Sequence, residues 1–349
     1  RYLLEEKSAE IKLDSPADWA TANAGGSGFF RARYSADMLK SLSSTMFENL
    51  SPIERYGLVD DTWSSVMAGR TSATDFLDFA RSFQSETDLD VWTVLSGCLA
   101  GLDKLVEGEA KLQYKAAVRD LAQPALDRLG WEPSDSNSSR DLELRGLFIR
   151  LLANVGDDDL ALKNAGDLHD SYLVDAGSVE PNIAAAATGI VASKGDSAQY
   201  EVFLDKHHNP STPQEERRYQ SALSAFPCEA EIDRTMAMTL DGTIRTQDAP
   251  YLLAVCMRNK EQGFRAWEFV KSNWEQINKD FPANSIVRML SGVTALSKPE
   301  QAADVIAFFD DHKVPQGQLT LQQTLEKLRV NVALRERESG RFSESLTGC

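Results

Sequence analysis

Asn23-Ala24-Gly25-Gly26-Ser27-Gly28-Phe29-Phe30-Arg31-Ala32-Arg33-Tyr34 divides the chain into two kinds of sequence. Before it, residues 1–13 alternate loosely between apolar and polar side chains, and Asp14-Ser15-Pro16 ends the run. That period-two pattern predicts a strand, with a second short one over 19–22. Gly25-Gly26-Ser27-Gly28 predicts a turn, and 28–34 alternates again. Phe30, Ala32 and Tyr34 would then lie on one face, and Phe29, Arg31 and Arg33 on the other. Three strands do not make a sheet by themselves. They are expected to complete a β-sandwich whose other strands precede Arg1, so the chain reads as a piece of a longer polypeptide.

After Ser35 the period changes to 3.6. Ser51-Pro52-Ile53-Glu54 has Ser at an N-cap, Pro at the first helical position and Glu at the third. Helices are expected at 52–68, 73–83, 89–106 and 109–129. The Pro-, Ser- and Asp-rich loop at 131–139 reads as a hinge. Shorter helices follow at 141–155, 158–173, 181–194, 197–206, 212–226 and 229–240. Gly156-Asp157 and Gly195-Asp196 separate two of the pairs, with Gly expected in the left-handed conformation and Asp capping the next helix. Further helices are expected at 242–259, 263–281, 285–296, 299–312 and 319–338. The last should turn its charged face to solvent as a terminal cap. The fold class is therefore mainly α: a HEAT-like α-solenoid, or α-α superhelix, over 35–349, preceded by the β-strands of 1–34.

Composition excludes several functions. The 349 residues carry 53 acidic and 37 basic side chains, a net charge of -16, which argues against nucleic-acid and anionic-membrane partners. No apolar run reaches the roughly 18 residues of a membrane span. Cys98, Cys228, Cys256 and Cys349 form no CxxC pair, and sparse cysteines favour a reducing, cytoplasmic compartment. The histidines (His169, His207, His208 and His312) form no HExxH, so no metal site and no catalytic residue is assigned. Gly25–Gly28 lacks the lysine and the following helix of a phosphate loop. Asp157-Asp158-Asp159 lacks the later alternating ligands of a calcium loop and reads as helix N-terminal acid. Trp267 and Trp274 read as core.

Two arginines are candidates for binding. Arg245 opens a helical run and Arg288 lies in an apolar one. Each needs a partner or water. That partner is either a neighbouring carboxylate such as Asp248, or an anionic ligand group such as a peptide carboxylate held by the guanidinium fork.

Four motifs in order resemble the aminopeptidase N family of zinc peptidases. Asn23 and Gly28-Phe29-Phe30-Arg31-Ala32-Arg33-Tyr34 resemble the signature at which that family passes from a β-sandwich into a C-terminal helical domain. Ile244-Arg245-Thr246-Gln247-Asp248, Ala266-Trp267-Glu268-Phe269-Val270-Lys271-Ser272-Asn273-Trp274 and Ala307-Phe308-Phe309 resemble its later motifs. The resemblance implies a non-catalytic helical bowl that caps the chamber of a zinc aminopeptidase and controls peptide access. Zinc, the HExxH site and the catalytic residues would belong to the upstream catalytic domain, this chain's implied partner along with peptide substrates. Some relatives place a cavity-facing arginine near the segment of Arg288. The alternative reading is a free-standing α-solenoid scaffold that binds another protein on its concave face.

Overall fold

The structure is a computed structural model that describes residues 6–12, 17–314 and 317–348. Seventeen α-helices run in order among the described residues. The first five are α1 (Ala36–Asn49), α2 (Pro52–Met67), α3 (Ala73–Arg81), α4 (Leu89–Asp103) and α5 (Gly108–Leu129). The middle of the chain forms α6 (Ser139–Asn154), α7 (Asp159–Val174), α8 (Pro181–Lys194), α9 (Ser197–His208), α10 (Pro213–Leu223) and α11 (Glu229–Ala237). The array continues with α12 (Ala249–Cys256), α13 (Gly263–Ser272), α14 (Trp274–Asp280), α15 (Ala283–Met289), α16 (Pro299–Asp311) and α17 (Gln318–Thr347).

The capping box read at Ser51 and the Asp196 cap are present, and others that the sequence reading did not name set further boundaries. Glu54 accepts the Ser51 N–H at 2.8 Å at the start of α2. Ser72 with Asp75, Ser138 with Asp141, and Asp196 with Gln199 form capping boxes on α3, α6 and α9. Each satisfies N–H groups that the helix itself cannot.

Alternate helices form one layer. α2, α4, α6, α8, α10 and α12 pack each against the next, and α3, α5 and α7 each pack on the two members that flank them in sequence, whereas α9 packs on α10. The core runs continuously along the array, from Leu42 and Met46 to Leu328 and Phe342.

The last helix departs from expectation. A solvent-facing cap was anticipated, but α17 packs on α2, α3 and α5 as well as on α16. Its 30 residues span about 45 Å, enough to reach from one end of the array back to the other. The buried Glu338 accepts the N–H of Ala73 at 2.9 Å, Arg337 donates to Val66 O at 2.8 Å, and Phe342 meets Tyr114 edge-on. The charges of α17 are thus partly spent on joining the two ends.

The expected strands are absent among the described residues. Residues 1–5 and 13–16 lie outside them; 6–12, 19–22 and 28–34 are irregular, and Ala24–Gly26 is a single 3-10 turn. A strand needs a neighbour to take its ladder hydrogen bonds. Here Asp61 of α2 accepts the Ala32 N–H, and the Tyr34 hydroxyl accepts that of Ala22, instead.

Other boundaries shifted for identifiable reasons. The helix expected over 242–259 is confined to α12, because the chain first turns through Gly242 at φ 91°. The one expected over 263–281 divides at Asn273, whose side chain donates to Phe269 O at 2.8 Å. Gly156 and Gly195 are not left-handed. Close packing excludes a side chain at each: a Cβ would lie 2.7 Å from Leu152 O at Gly156 and 2.5 Å from the Phe226 ring at Gly195. The left-handed residue is Asp157, at φ 49°.

Candidate functional site: the joint, two arginines and a basic cleft

The stretch around Asn23 is folded on itself and hung on α2. Asn23 brackets Gly28, accepting its N–H at 2.7 Å and donating to its carbonyl at 3.1 Å. A side chain at Gly28 would collide with the Phe30 ring, and Gly25 and Gly26 have φ 70° and 64°. Three carboxylates of α2 hold the rest. Glu54 accepts the Gly25 N–H at 2.8 Å, and this bond leads the causes that lower its pKa. Asp61 accepts the Ala32 N–H at 3.1 Å, and Arg31 pairs with Asp60 and Asp61. Tyr34 turns inward, its hydroxyl accepting the Ala22 N–H at 3.0 Å. Phe29 is fully exposed and Phe30 is 54% exposed, so both rings face outward where an alternating strand would have separated them.

The later motifs behave differently. Trp267 and Trp274 converge on Phe308 and Phe309, with ring centroids 5.2 to 5.8 Å apart. The Trp267 indole N–H donates to Asp304 at 2.6 Å, and Lys271 pairs with the same carboxylate at 2.7 Å. This is packed core, as read from the sequence.

The two candidate arginines sit on the surface. Arg245 reaches Glu216 of α10 at 3.3 Å rather than Asp248. Arg288 is exposed near the end of α15, and its guanidinium has no ion pair or hydrogen bond among the described residues.

Sequence reading missed a third region, a cleft of 630 Å³ where the ends of distant helices meet. Its walls come from the α4–α5 turn, the C-terminal ends of α6 and α8, the α12–α13 turn, the approach to α16, and Arg335 of α17. Eight lining side chains are Lys or Arg and four are Asp or Glu, the reverse of the chain as a whole. The signal was present but dispersed. The cations come from separate parts of the sequence, and those near helix ends, such as Lys104, Lys194 and Lys298, read singly as partners for exposed carbonyls or as solvated charge.

The histidines are otherwise engaged. His169 is buried, with Nε2 3.2 Å from the Tyr219 hydroxyl, and His312 stacks on Phe308. No group of three His, Cys, Asp or Glu among the described residues could hold a metal ion. These residues therefore do not fit a zinc centre. Cys98 and Cys256 are buried, and burial raises both thiols, Cys256 to about 12. Asp158 caps α7 by accepting the Ala161 N–H at 2.8 Å, whereas Asp157 bridges Lys115 and Lys194. No helix among the described residues is long and apolar enough to cross a membrane.

The sequence profile of the ERAP1-like C-terminal domain matches residues 19–330, and the chain belongs to that family. Among curated proteins, it is 28% identical to Aminopeptidase M1 of Arabidopsis thaliana over 92% of this chain and 37% of that protein. It is 26% identical to Endoplasmic reticulum aminopeptidase 2 of Bos taurus, over 95% of this chain and 36% of that protein. It is 25% identical to Aminopeptidase 2 of Candida albicans, over 99% of this chain and 38% of that protein. The chain thus spans well under half the length of these relatives.

Proposed function

We propose that this chain is the non-catalytic C-terminal domain of a zinc aminopeptidase. Residues 35–349 form its HEAT-like helical bowl, and residues 1–34 join it to a preceding β-sandwich. The bowl caps the catalytic chamber and restricts which peptides enter. Zinc and the chemistry of N-terminal residue removal belong to the catalytic domain upstream, and the compartment is cytoplasmic.

The observation that carries this reading is the family match over 19–330 in a chain covering under two-fifths of its aminopeptidase relatives. The joint supports it. A segment tied to α2 by three carboxylates, with Phe29 and Phe30 facing outward, is built to be covered by another part of a protein. The packing of α17 on α2, α3 and α5 as well as on α16 supports it too, because it joins the two ends of the array.

Arg245 and Arg288 are assigned to the far end of the peptide, with Arg288 the freer of the two. In the joined enzyme, Arg288→Ala should raise KM for free-acid peptides more than for the same peptides amidated, with Arg245→Ala having the smaller effect. Equal effects on both substrate forms would remove the arginines from the binding site. If the sequence preceding Arg1 in the gene lacks an HExxH, the scaffold reading replaces the enzyme one.

A further inference from the structure

The cleft holds more positive charge than the fold uses. Asp103 forms its floor, 2% exposed, with Lys111 at 2.7 Å and Lys260 at 2.9 Å. Asp157 pairs with Lys115 and Lys194, each at 2.7 Å, and Arg335 pairs with Glu107 at 2.8 Å. Carbonyls at helix ends take further bonds: Lys260 donates to Asn154 O at 3.0 Å and Arg335 to Lys104 O at 2.6 Å. Three cations have no such use. The ammonium groups of Lys104 and Lys298 have no ion pair or hydrogen bond among the described residues, and Arg258 reaches only the Ser291 hydroxyl, at 2.8 Å. Although Lys104 is exposed overall, crowding of its ammonium away from water lowers its pKa, and repulsion from Lys260 and Arg258 adds to this.

We propose that this cleft binds a small organic or inorganic polyphosphate, held by Lys104, Arg258 and Lys298 above the Asp103 floor. The arrangement selects that chemistry over a carboxylate in two ways. Six of the eight cations are lysines, which act as point charges and suit phosphate oxygens approached from several sides. Of the two arginines, Arg335 is committed to Glu107 and a carbonyl, so a single guanidinium fork, that of Arg258, stands beside two uncommitted lysines. The charges also converge from six segments on one cavity, where a peptide groove would string them along a line. The volume, 630 Å³, lies within the range of small-molecule sites. In a chain of net charge -16, this is the place where a multivalent anion gains from focused positive potential. A bound polyphosphate would tie the α4–α5 turn to the α12–α13 turn and the approach to α16, through Lys104, Arg258 and Lys298. The assignment stands independently of the aminopeptidase reading.

The test is calorimetric titration and thermal unfolding of the 349-residue chain with sodium tripolyphosphate at constant ionic strength. Inorganic phosphate, vesicles bearing phosphoinositide headgroups and an Asp-rich free-acid octapeptide are the comparison arms. One saturable site is expected, with tripolyphosphate bound roughly tenfold or more tighter than phosphate, and Tm rising with its concentration. Vesicle binding weaker than tripolyphosphate would assign a free ligand, and tighter binding a lipid headgroup of the same chemistry. The variant Lys104→Ala/Arg258→Ala/Lys298→Ala should lose that binding while its ligand-free Tm stays within a degree or two, because these side chains carry no carboxylate contact. Lys163→Ala, which removes a cation on exposed α7, should bind as the parent does. Absence of saturable binding, binding unchanged in the triple variant, or tighter binding of the acidic peptide would overturn the proposal.

Discussion

Two motifs of similar legibility in the sequence have opposite physical characters. The Trp267–Trp274 and Phe308–Phe309 pair is a dry aromatic cluster with one satisfied indole N–H. The stretch from Asn23 to Tyr34 is a polar-tethered loop whose two phenylalanines face outward. The first is complete within the chain. The second keeps its own backbone satisfied and leaves its apolar surface over. Motif residues that are already buried account for fold; motif residues that stay exposed point to what the fold is joined to.

The comparison breaks most readily at the aromatic cluster. Trp267→Ala removes a fully buried ring and should cost about 3–5 kcal/mol in urea unfolding. Next in size is the seam that closes the array. Glu338→Ala leaves the buried Ala73 N–H without its acceptor and should cost about 2 kcal/mol. It should also speed amide exchange in α3 and α17 together.

Acid should act on the interior as well as on the stretch around Asn23, where the Gly25 N–H holds the Glu54 carboxyl low and its contribution is lost as pH falls. Burial pushes His169 down to about 4; Asp170 opposes the shift, and Lys206 and Arg218 add to it. The ring packs on Phe203 and faces the Tyr219 hydroxyl. As pH falls from about 6.5 towards 4, the unfolded chain takes up a proton that the folded chain refuses. Stability should decline across that window and level off below it with respect to this group. His169→Phe should flatten that part of the pH profile of Tm.

At the joint the effects should be local. Asn23→Ala loses both bonds to Gly28 and should cost about 1 kcal/mol, read as faster proteolysis within 17–34 before global unfolding. Phe29→Ala should change the stability of the chain by less than about 0.5 kcal/mol, because its ring touches little. The same substitution in a longer protein that covers the joint should destabilise it far more, and that contrast is the sharper form of the comparison.

Helical boundaries set by local chemistry were legible in the sequence. Ser72, Ser138, Asp158 and Asp196 cap helices with their side chains, and at Ser51 the carboxylate of Glu54 accepts the N-cap N–H. Features set by distant partners were not. The strand pattern of 28–34 is real as a pattern, but alternation does not reveal whether a ladder neighbour exists. Here Glu54, Asp60 and Asp61 of α2 take the place of a sheet. The curl that brings α17 onto α3 depends on accumulated packing angles, and no single repeat encodes it. The cleft follows from that curl: Lys104 and Arg335 are 231 residues apart and meet through a carbonyl. Arg288 stands in an apolar run, yet helical geometry places it at the surface, and Arg245, expected to open a helix, lies exposed in the non-helical segment before α12.

The central claim is that this chain carries no peptide chemistry of its own and serves an enzyme to which it is joined. The direct measurement compares zinc content and aminopeptidase turnover of the chain alone with those of the protein made in continuity with the sequence preceding Arg1 in its gene. The chain alone should bind no stoichiometric zinc and release no N-terminal residue, whereas the joined protein should do both. Zinc-dependent turnover by the chain alone, or none by the joined protein, would contradict the account.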